Sequence, residues 1–365
     1  MKPVDRFIEF NSRLQEFIAR RRADDALFNQ LALGLFALQF EHVAPYRQLC
    51  LARRVAPGGV AHWGAIPAVP AAAFKDFEMT SLPVEDRPVV FHSSGTTEQR
   101  PGRHFHNIHS LAVYESSLLP WFKSHVLPDA KRIGFILLTP PPVLAPRSSL
   151  VRMFECVRRE FGSPDSVFVG ETGTGGAWEL NHELVVAALR QATGTRRPVA
   201  LLGAAFSFVH LLDHLSEHAL RFDLPPGSRV METGGYKGRS RTLPKAELHA
   251  RITDLLGVPD SQIICEYGMS ELGSQAYDGA AGIPGPSSPR IFRFPPWARA
   301  RIVSPETGRE VGDNETGLIQ VFDLANLRSV MAIQTEDLGT RRDDGFELAG
   351  RAARAEPRGC SLMMS

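Results

Sequence analysis

The sequence predicts an α/β fold in which helices cover parallel-rich sheets, followed by a small antiparallel β subdomain. Between residues 133 and 265, apolar runs of strand length alternate with helical patterns, which is typical of parallel strands joined by covering helices. A Gly-, Pro- and Ser-rich segment at residues 279–289 ends this alternation. Beyond it, short strand-like segments are separated by turns, which favours antiparallel pairing.

The composition limits the classes of protein that the chain can belong to. Its 365 residues fit one large and one small domain, and 43% apolar and 22% charged residues are typical of a soluble globular protein. A net charge of +1 gives no reason to expect nucleic acid or an anionic membrane as a partner. No apolar run reaches the length of a membrane span, and the N-terminus does not resemble a signal peptide.

The four cysteines are widely spaced and form no CxxC pair. This spacing argues against a zinc ribbon or a disulfide framework and predicts a reducing, cytoplasmic location. Cys50, Cys156 and Cys265 lie in apolar patterns and are interpreted as packing residues. His104, His106 and His109 are close in sequence, but no fourth zinc ligand is apparent.

The N-terminal region is predicted to be helical over residues 5–40. Its apolar residues recur at spacings of three and four: Phe7, Phe10, Leu14, Phe17 and Ile18. Pro45 and the cluster at 57–59 break this pattern, and residues 71–76 suit a short helical turn.

A hydroxyl-rich loop follows a short apolar strand predicted over residues 88–91. The loop comprises Ser93, Ser94, Gly95, Thr96 and Thr97. Its side-chain O–H and backbone N–H groups can wrap phosphate oxygens, although the spacing of a Walker A loop is absent. Taken alone, the segment could equally be a solvated turn.

The elements after this loop follow one another in regular alternation. Helices are predicted over residues 110–126, with a kink at Pro120, after Ser148, over 179–191, over 207–220 and after Pro244, where Gly257 is the stop signal. Strands are predicted over residues 133–138, 166–169, 199–202, 229–231 and 263–265, and in the β subdomain over 300–303, 318–322 and 330–333.

Three polar or Gly-rich loops follow predicted strands, at residues 92–103, 232–241 and 267–275. Ligands of parallel sheets bind in loops beyond the carboxyl ends of the strands. The recurrence of such loops therefore predicts a nucleotide-sized site at one edge of the sheet.

Four segments resemble motifs of the adenylate-forming superfamily, which includes acyl-CoA synthetases, luciferases and adenylation domains. They are Ser93-Ser-Gly-Thr-Thr97, Tyr267-Gly-Met-Ser-Glu271, Thr335-Glu-Asp337 with Leu338-Gly339, and Gly350-Arg351. Their order and spacing match the phosphate loop, the Tyr-Gly-x-Thr/Ser-Glu motif, the Thr-Gly-Asp motif and the following Gly-Arg.

A closer resemblance, to the LuxE-like acyl-protein synthetases, covers nearly the whole chain. It rests on Arg103-His104, Leu201-Leu-Gly-Ala-Ala-Phe206, Thr233-Gly-Gly-Tyr-Lys-Gly238, Asp323-Leu-Ala-Asn326 and Arg358-Gly-Cys-Ser-Leu362. Members of that family activate a fatty acid with ATP and pass the acyl group through a C-terminal cysteine to a partner reductase. Phenylacetate–CoA ligases are more distant relatives.

The chain departs from the superfamily pattern in several places. Glu98 replaces the usual glycine after Thr97, Arg100 or Arg103 replaces the usual lysine, and Glu336 replaces the glycine before Asp337. The resemblance further implies that the large mobile C-terminal domain, with its catalytic lysine, is missing. The LuxE-like family shares this truncation.

The resemblance implies a role for each nucleotide-site residue. The hydroxyl loop would hold the leaving phosphates, and Glu271 would ligate Mg²⁺. Asp337 would accept hydrogen bonds from the ribose, and Arg351 would reach ribose or phosphate. The remaining members of the predicted ATP site are Gly234, Gly235, Tyr236, Tyr267, Gly268 and Ser270, of which Tyr236 or Tyr267 can pack on the adenine. The alternative for Glu271 is a capping carboxylate, and for Asp337 it is an Asx-turn. The alternative for Gly234 and Gly235 is an ordinary turn, and for Arg351 it is a surface arginine.

The resemblance also implies residues that handle the acyl group. Cys360 would be the nucleophile that forms a thioester, although an incidental cysteine in a frayed tail is the alternative. Without the lysine domain, Lys237 is the candidate cation at the α-phosphate, with Arg239 and Arg241 as alternatives. Phe206 and Phe208 can line an acyl pocket, but core packing suits them equally.

The predicted domains are an α/β acyl- and nucleotide-binding core at residues 1–278, a β subdomain at 279–350 that completes the nucleotide site, and a tail at 351–365. The predicted function is ATP-dependent formation of an acyl-adenylate and transfer to a protein thiol, with a reductase or carrier protein as the acceptor. The alternatives are an acyl- or aryl-CoA ligase and a non-catalytic nucleotide-binding subunit of a reductase complex.

Overall fold

The computed structural model describes residues 6–93, 100–173, 177–234, 241–283 and 289–352. Its helices are α1 (Arg6–Arg20), α2 (Asp25–His42), α3 (Ala44–Ala52), α4 (Ala73–Asp76), α5 (Ile108–Val126), α6 (Ser149–Phe161), α7 (His182–Thr195), α8 (Ala205–Glu217) and α9 (Lys245–Leu256). Its strands are β1 (Val69–Pro70), β2 (Val89–His92), β3 (Arg103–His106), β4 (Gly134–Leu137), β5 (Val167–Phe168), β6 (Gly170–Thr172), β7 (Trp178–Leu180), β8 (Val199–Ala204), β9 (Arg229–Thr233), β10 (Ile263–Tyr267), β11 (Ala276–Tyr277), β12 (Ile291–Phe292), β13 (Ala298–Val303), β14 (Thr316–Asp323), β15 (Ala332–Arg342) and β16 (Gly345–Arg351).

A parallel sheet with helices on both faces forms the centre of the α/β region. Its strand order is β11-β10-β9-β8-β4-β5, with β11 antiparallel at one edge. Strand residues alternate between the faces: Ile136, Leu201 and Val230 pack with α7, α8 and α9. Their neighbours Phe135, Leu202 and Met231 pack with α5 and α6 on the other face. The continuous apolar runs in the sequence arise because both faces of these strands are buried.

A second sheet follows the Gly- and Pro-rich segment and is mainly antiparallel. Its order is β12-β16-β15-β14-β13, and β1 adds to β15 in parallel. The three strands predicted from the sequence correspond to β13, β14 and β15, whereas β16 was not predicted.

The N-terminal helices pack against this second sheet. The apolar face of α1 is buried at all five predicted positions, Phe7, Phe10, Leu14, Phe17 and Ile18. They share one hydrophobic core with residues of the antiparallel sheet, among them Phe322 and Ile333. Each buried side chain contributes about 1.5–3 kcal/mol relative to an exposed one. Hydrophobic packing therefore joins the two ends of the sequence, and the domain division at residue 278 stays a prediction.

Several local signals act as predicted. Ser148 accepts a hydrogen bond from the Val151 amide and begins α6, and Gly257, in the left-handed region at φ +70°, ends α9. Pro120 lies inside α5, which continues from Ile108 to Val126, so the kink at this residue stays a prediction. The helical pattern breaks at Val43, between α2 and α3, and Pro45 occupies the first turn of α3, a position that tolerates proline.

One of the three strands that precede the predicted loops lies outside the parallel sheet. The strand before the hydroxyl loop, β2, pairs with β3 in a separate antiparallel hairpin and does not join the parallel sheet. The other two predicted loops do follow parallel strands, β9 and β10. The short apolar run at residues 88–91 cannot distinguish these cases, since periodicity alone does not identify the pairing partner.

Candidate active site

The loop after β10 carries Glu271, whose side chain is only 5% exposed. Ser270 Oγ donates a hydrogen bond to Glu271 Oε2 at 3.0 Å. The other carboxylate oxygen, Oε1, faces Gly102 at the closing end of the hydroxyl loop. A Cβ atom on Gly102 would lie 2.9 Å from Glu271 Oε1 and 2.9 Å from Ser93 Oγ. Glycine at position 102 therefore allows the two oxygen-bearing side chains to approach the same point.

Ser93 closes the described part of the hydroxyl loop. Its backbone amide donates to the Gly102 carbonyl at 3.0 Å, and its Oγ accepts a hydrogen bond from the Gly102 amide at 2.8 Å. Ser94, Gly95, Thr96 and Thr97 lie outside the described residues. The β2–β3 hairpin thus places both ends of the loop beside Glu271, although it lies outside the parallel sheet.

Two buried histidines join this hairpin to the loop after β10. His104 Nδ1 lies 2.8 Å from the Ser270 carbonyl oxygen, and the His104 and His106 rings are 4.2 Å apart. Burial lowers the pKa of His104 to about 4, against the raising effect of the bond to Ser270. Burial also lowers the pKa of His106. Both rings are therefore neutral near pH 7, and the Nδ1–H tautomer of His104 donates to Ser270.

Asp337 on β15 forms the second part of the site. Its Oδ2 accepts a hydrogen bond from the Tyr267 hydroxyl at 2.9 Å, and its Oδ1 lies 3.3 Å from Arg351 Nε. Thr335 Oγ1 accepts from the Asp337 amide at 3.1 Å. An ionised carboxylate has about four acceptor positions, so Asp337 keeps capacity for further donors such as sugar hydroxyls.

Tyr267 is held in an aromatic cluster. Its ring meets Phe292, Phe294 and Phe346 edge-on, at centroid distances of 6.1, 6.3 and 5.3 Å. Burial raises the pKa of the Tyr267 hydroxyl, and the charge of Asp337 raises it further. The protonated hydroxyl is therefore a stable donor to Asp337, and packing of the Tyr267 ring on adenine stays a prediction.

Asp323 and Asn326 fix the loop that carries Glu271. Asp323 accepts hydrogen bonds from the Gly273 amide at 2.8 Å and from Ser274 Oγ at 2.7 Å. Asn326 Nδ2 donates to the Glu271 carbonyl oxygen at 2.8 Å. The segment from Asp323 to Asn326, at the end of β14, therefore supports the backbone on both sides of Leu272. This motif, for which the sequence suggests no role, holds the loop that carries Glu271.

The loop after β9 is described only at its beginning. Gly234 has a φ of +65°, in the left-handed region that favours glycine. A Cβ atom added at this position would meet no other atom within 4 Å. Thr233, just before it, donates a short hydrogen bond to Glu266 on the neighbouring strand. Gly235, Tyr236, Lys237 and Arg239 lie outside the described residues, as does Cys360. Arg241, an alternative to Lys237, forms an ion pair with Asp213 at 2.7 Å.

The predicted acyl-pocket residues differ in their environments. Phe208 belongs to the hydrophobic core between the sheet and its covering helices, so core packing describes it better than ligand contact. Phe206, one residue into α8, is buried outside that cluster and meets His210 edge-on. Arg103 is one of the two arginines predicted to replace the loop lysine. Its guanidinium forms an ion pair with the Glu78 carboxylate at 3.3 Å.

The three cysteines interpreted as packing residues are buried. Burial raises the pKa of Cys50 to about 11 and that of Cys156 to about 12, and it raises the pKa of Cys265 as well. These thiols are protonated near pH 7, so they are poor nucleophiles.

Sequence reasoning missed Gly102, Asp323 and Asn326 as contributors to the site. Asp323 and Asn326 could have been recognised from the sequence, because they lie within four residues of the end of an apolar strand pattern. Polar residues are unusual in such buried surroundings unless they have a specific role. Gly102 carried none, since its partners Ser93 and Glu271 approach it only in the folded chain.

Similarity to solved structures defines the class of this fold. A 2-hydroxyisobutyryl-CoA ligase, in a complex with 2-HIB-AMP in the postadenylation state, aligns with a TM-score of 0.65 over 91% of this chain and 70% of its own, at 13% identity. An open conformation of the same ligase, with 2-HIB-AMP and CoA, aligns with a TM-score of 0.62 over 91% of this chain and 77% of its own, at 14% identity. The fold is therefore that of the adenylate-forming enzymes, as the sequence motifs predict.

The chain belongs to the acyl-protein synthetase LuxE family, whose pattern it matches over residues 10–365. A long-chain-fatty-acid–luciferin-component ligase of Aliivibrio fischeri is 24% identical over 199 residues. That match covers 51% of this chain and 50% of the relative, so the chain spans about half the length of this curated relative. Among the described residues, no helix is both long and apolar enough to cross a membrane.

Proposed function

We propose that this chain uses ATP to convert a carboxylic acid, of the fatty acid class, into an acyl-adenylate and then transfers the acyl group to a protein thiol. Cys360 is the first acceptor in this proposal, and a partner reductase or carrier protein receives the acyl group from it. The proposal rests on family membership and on one geometric observation. Segments far apart in sequence place Ser93 beside Glu271, and Tyr267 beside Asp337.

In the first step, an oxygen of the substrate carboxylate attacks the α-phosphorus of ATP, and the bond to the β-phosphate oxygen breaks to release pyrophosphate. Such a reaction depends on positioning and charge. Asp337 would accept the ribose hydroxyls while Tyr267 holds its carboxylate in place. Ser93 and the other loop hydroxyls would hold the departing phosphates, and Lys237 would offset charge at the α-phosphate.

Glu271 fits a Mg²⁺ ligand by the chemistry of its surroundings. Its carboxylate is buried, shares a point of approach with Ser93 Oγ, and is flanked by the hydroxyl of Ser270. A hard divalent cation prefers such oxygen donors. When bound, Mg²⁺ would neutralise the charge of the phosphates.

In the second step, the Cys360 thiolate attacks the acyl carbon of the adenylate, a thioester forms, and AMP leaves. Arg358 would favour the thiolate over the thiol. The three buried cysteines are unsuitable for this step, because burial raises their pKa values.

The decisive experiment offers the purified protein ATP, Mg²⁺ and a panel of carboxylic acids, and measures acid-dependent exchange of pyrophosphate into ATP. Labelling with radioactive acid and denaturing electrophoresis then follows the acyl group. Exchange with labelled protein supports the proposal. Exchange that yields acyl-CoA only after addition of coenzyme A, without labelled protein, would assign a CoA ligase. ATP binding without exchange for any acid would assign a non-catalytic nucleotide-binding subunit.

A further inference from the structure

A buried cluster of three different donor groups lies under α9, on the opposite side of β9 and β10 from Glu266. Glu232 and Cys265 are direct partners across the parallel pair β9–β10. His249 comes from α9, which covers them. A carboxylate oxygen, an imidazole nitrogen and a thiol sulfur from these residues all lie within 4.8 Å of one another, and all three residues are buried.

Two distances from the imidazole nitrogen of His249 are close to the donor separations around a tetrahedral ion. His249 Nε2 lies 3.7 Å from Cys265 Sγ and 3.5 Å from Glu232 Oε1. Zinc bonds of about 2.0–2.3 Å in tetrahedral geometry place such donors roughly 3.3–3.6 Å apart. From this geometry we propose that Glu232, His249 and Cys265 bind one Zn²⁺ ion, with water in the fourth position.

The surroundings also suit a metal-binding histidine. His249 Nδ1, the nitrogen that would not bind the metal, lies 3.5 Å from Asp260 Oδ1. Asp260 is itself paired with Arg290 at 2.8 Å. A carboxylate behind the imidazole is the usual arrangement that fixes the ring and directs Nε2 toward a metal. Zinc is favoured over harder ions because the site offers sulfur and nitrogen.

Lys245 supplies the charge that balances Glu232 without a metal. Its ammonium group lies 2.9 Å from Glu232 Oε1, and its side chain is 42% exposed while that of Glu232 is 1% exposed. This ion pair accounts for a carboxylate that is otherwise buried, and the cluster can exist with or without a bound metal ion.

Binding involves one proton transfer and no redox change. Cys265 is a free, buried thiol, and a thiol in such surroundings carries its proton before an ion arrives. The Zn²⁺–sulfur bond replaces the S–H bond, and the proton leaves to the buffer. Arg290 Nη1, 4.0 Å from Cys265 Sγ, favours the resulting thiolate.

The position of the cluster indicates a structural role. β9 leads into Gly234 and β10 ends at Tyr267, so the two strands carry two loops of the proposed nucleotide site. An ion shared by β9, β10 and α9 would fix the ends of both strands against the helix. This role is separate from nucleotide chemistry, because Glu232, His249 and Cys265 are not among the residues proposed to contact ATP.

Cobalt spectroscopy on the full chain tests the proposal directly. The protein, carrying Cys360→Ser to remove the tail thiol, is stripped with a chelator and titrated with Co²⁺. The expected result is a thiolate-to-cobalt charge-transfer band in the near ultraviolet with tetrahedral visible bands, saturating at one equivalent and lost when Zn²⁺ displaces Co²⁺. Cys265→Ala should abolish the charge-transfer band, His249→Gln should weaken metal binding at least tenfold, and Cys156→Ala should change neither.

Two controls keep the result specific. His182, His214 and His218 form a second imidazole cluster, with ring centroids 4.0 and 4.2 Å apart, and could bind cobalt. They contain no sulfur, so His214→Gln should leave the charge-transfer band unchanged. Near-ultraviolet circular dichroism verifies that each variant is folded.

A Cys360→Ser chain that shows no thiolate band at stoichiometric Co²⁺, or a folded chain with the added change Cys265→Ala that retains the band, would overturn the proposal. The cluster would then be an ion-pair network completed by Lys245. Neither outcome bears on adenylation, since pyrophosphate exchange is measured separately.

Discussion

At the scale of the residue, Asp337 allows a direct test of the proposed nucleotide site. The Tyr267 hydroxyl donates to its carboxylate and Thr335 Oγ1 accepts from its backbone amide, so the side chain is held in one position. Asp337→Ala should weaken ATP binding by about 1.5–3 kcal/mol, since hydrogen bonds to a charged acceptor are lost. Calorimetric titration with ATP measures this loss. Tyr267→Phe, which keeps the buried ring, should weaken binding less, and a folded Asp337→Ala protein with wild-type ATP affinity would exclude the ribose assignment.

Glu271 is the residue that most directly tests the metal proposal. Glu271→Gln should shift the Mg²⁺ dependence of pyrophosphate exchange to higher concentration, because a neutral amide is a poorer ligand for a hard cation. The amide is similar in size, so the buried contact with Ser270 should survive. A Mg²⁺ titration of exchange rate compares the two proteins. Superimposable curves would remove Glu271 from the metal site.

Cys360 is distinguished from the other cysteines by the proposed two-step reaction. Cys360→Ser should keep acid-dependent pyrophosphate exchange but lose hydroxylamine-sensitive labelling of the protein. Cys156→Ser is the matched control, because Cys156 is buried and burial raises its pKa to about 12. Gel fluorography of labelled protein gives the result. Labelling that survives in Cys360→Ser but disappears with another cysteine would identify a different nucleophile.

At the scale of the element, the loop after β10 is held by the chain that follows β14. Asn326→Ala should remove the hydrogen bond to the Glu271 carbonyl and leave a buried acceptor unpaired, at a cost of about 1–3 kcal/mol in stability. It should also raise the Mg²⁺ concentration needed for exchange, since the backbone of Glu271 loses its support. Urea denaturation and a Mg²⁺ titration measure the two effects.

Ser329→Ala is the matched control for Asn326→Ala. Ser329 also makes a buried hydrogen bond, at 2.7 Å, but its partner is the Met79 carbonyl rather than Glu271. We expect a similar loss of stability with an unchanged Mg²⁺ dependence. Equal shifts in Mg²⁺ dependence for both variants would mean that general destabilisation, not the loop, causes the effect.

At the scale of the whole molecule, the buried histidines predict a pH dependence of stability. Burial lowers the pKa of His104 from 6.5 to about 4, so the unfolded chain binds a proton that the folded chain does not. The free energy of unfolding should therefore fall as the pH drops from about 6.5 towards 4, and each unit of pKa difference is worth about 1.4 kcal/mol. His106 contributes in the same direction.

Urea denaturation at a series of pH values checks this prediction. His104→Gln should be less stable than wild type near pH 7 but should lose less stability on acidification, because one titrating group is gone. Identical slopes for wild type and His104→Gln would contradict the assignment of the acid sensitivity to this ring.

The sequence by itself determined the fold class and most helices and strands, and it predicted the segments of the proposed site. These features are local: period and length identify helices and strands, and short motifs single out Ser93, Glu271 and Asp337 as candidates. The buried apolar face of α1 and the cap at Ser148 also follow from neighbouring residues alone. For these features, local chemistry and the final fold favour the same structure.

Only the tertiary structure decided how distant segments meet. The sequence predicted the strand at residues 88–91 but not its pairing partner, whereas β2 forms a hairpin with β3 and reaches Glu271 through Gly102. It also gave no indication that Asn326 supports Glu271, or that Glu232, His249 and Cys265 converge under α9. Such contacts depend on strand order and on which face of a strand each side chain occupies. Both are set by long-range packing, which the local pattern of residues does not encode.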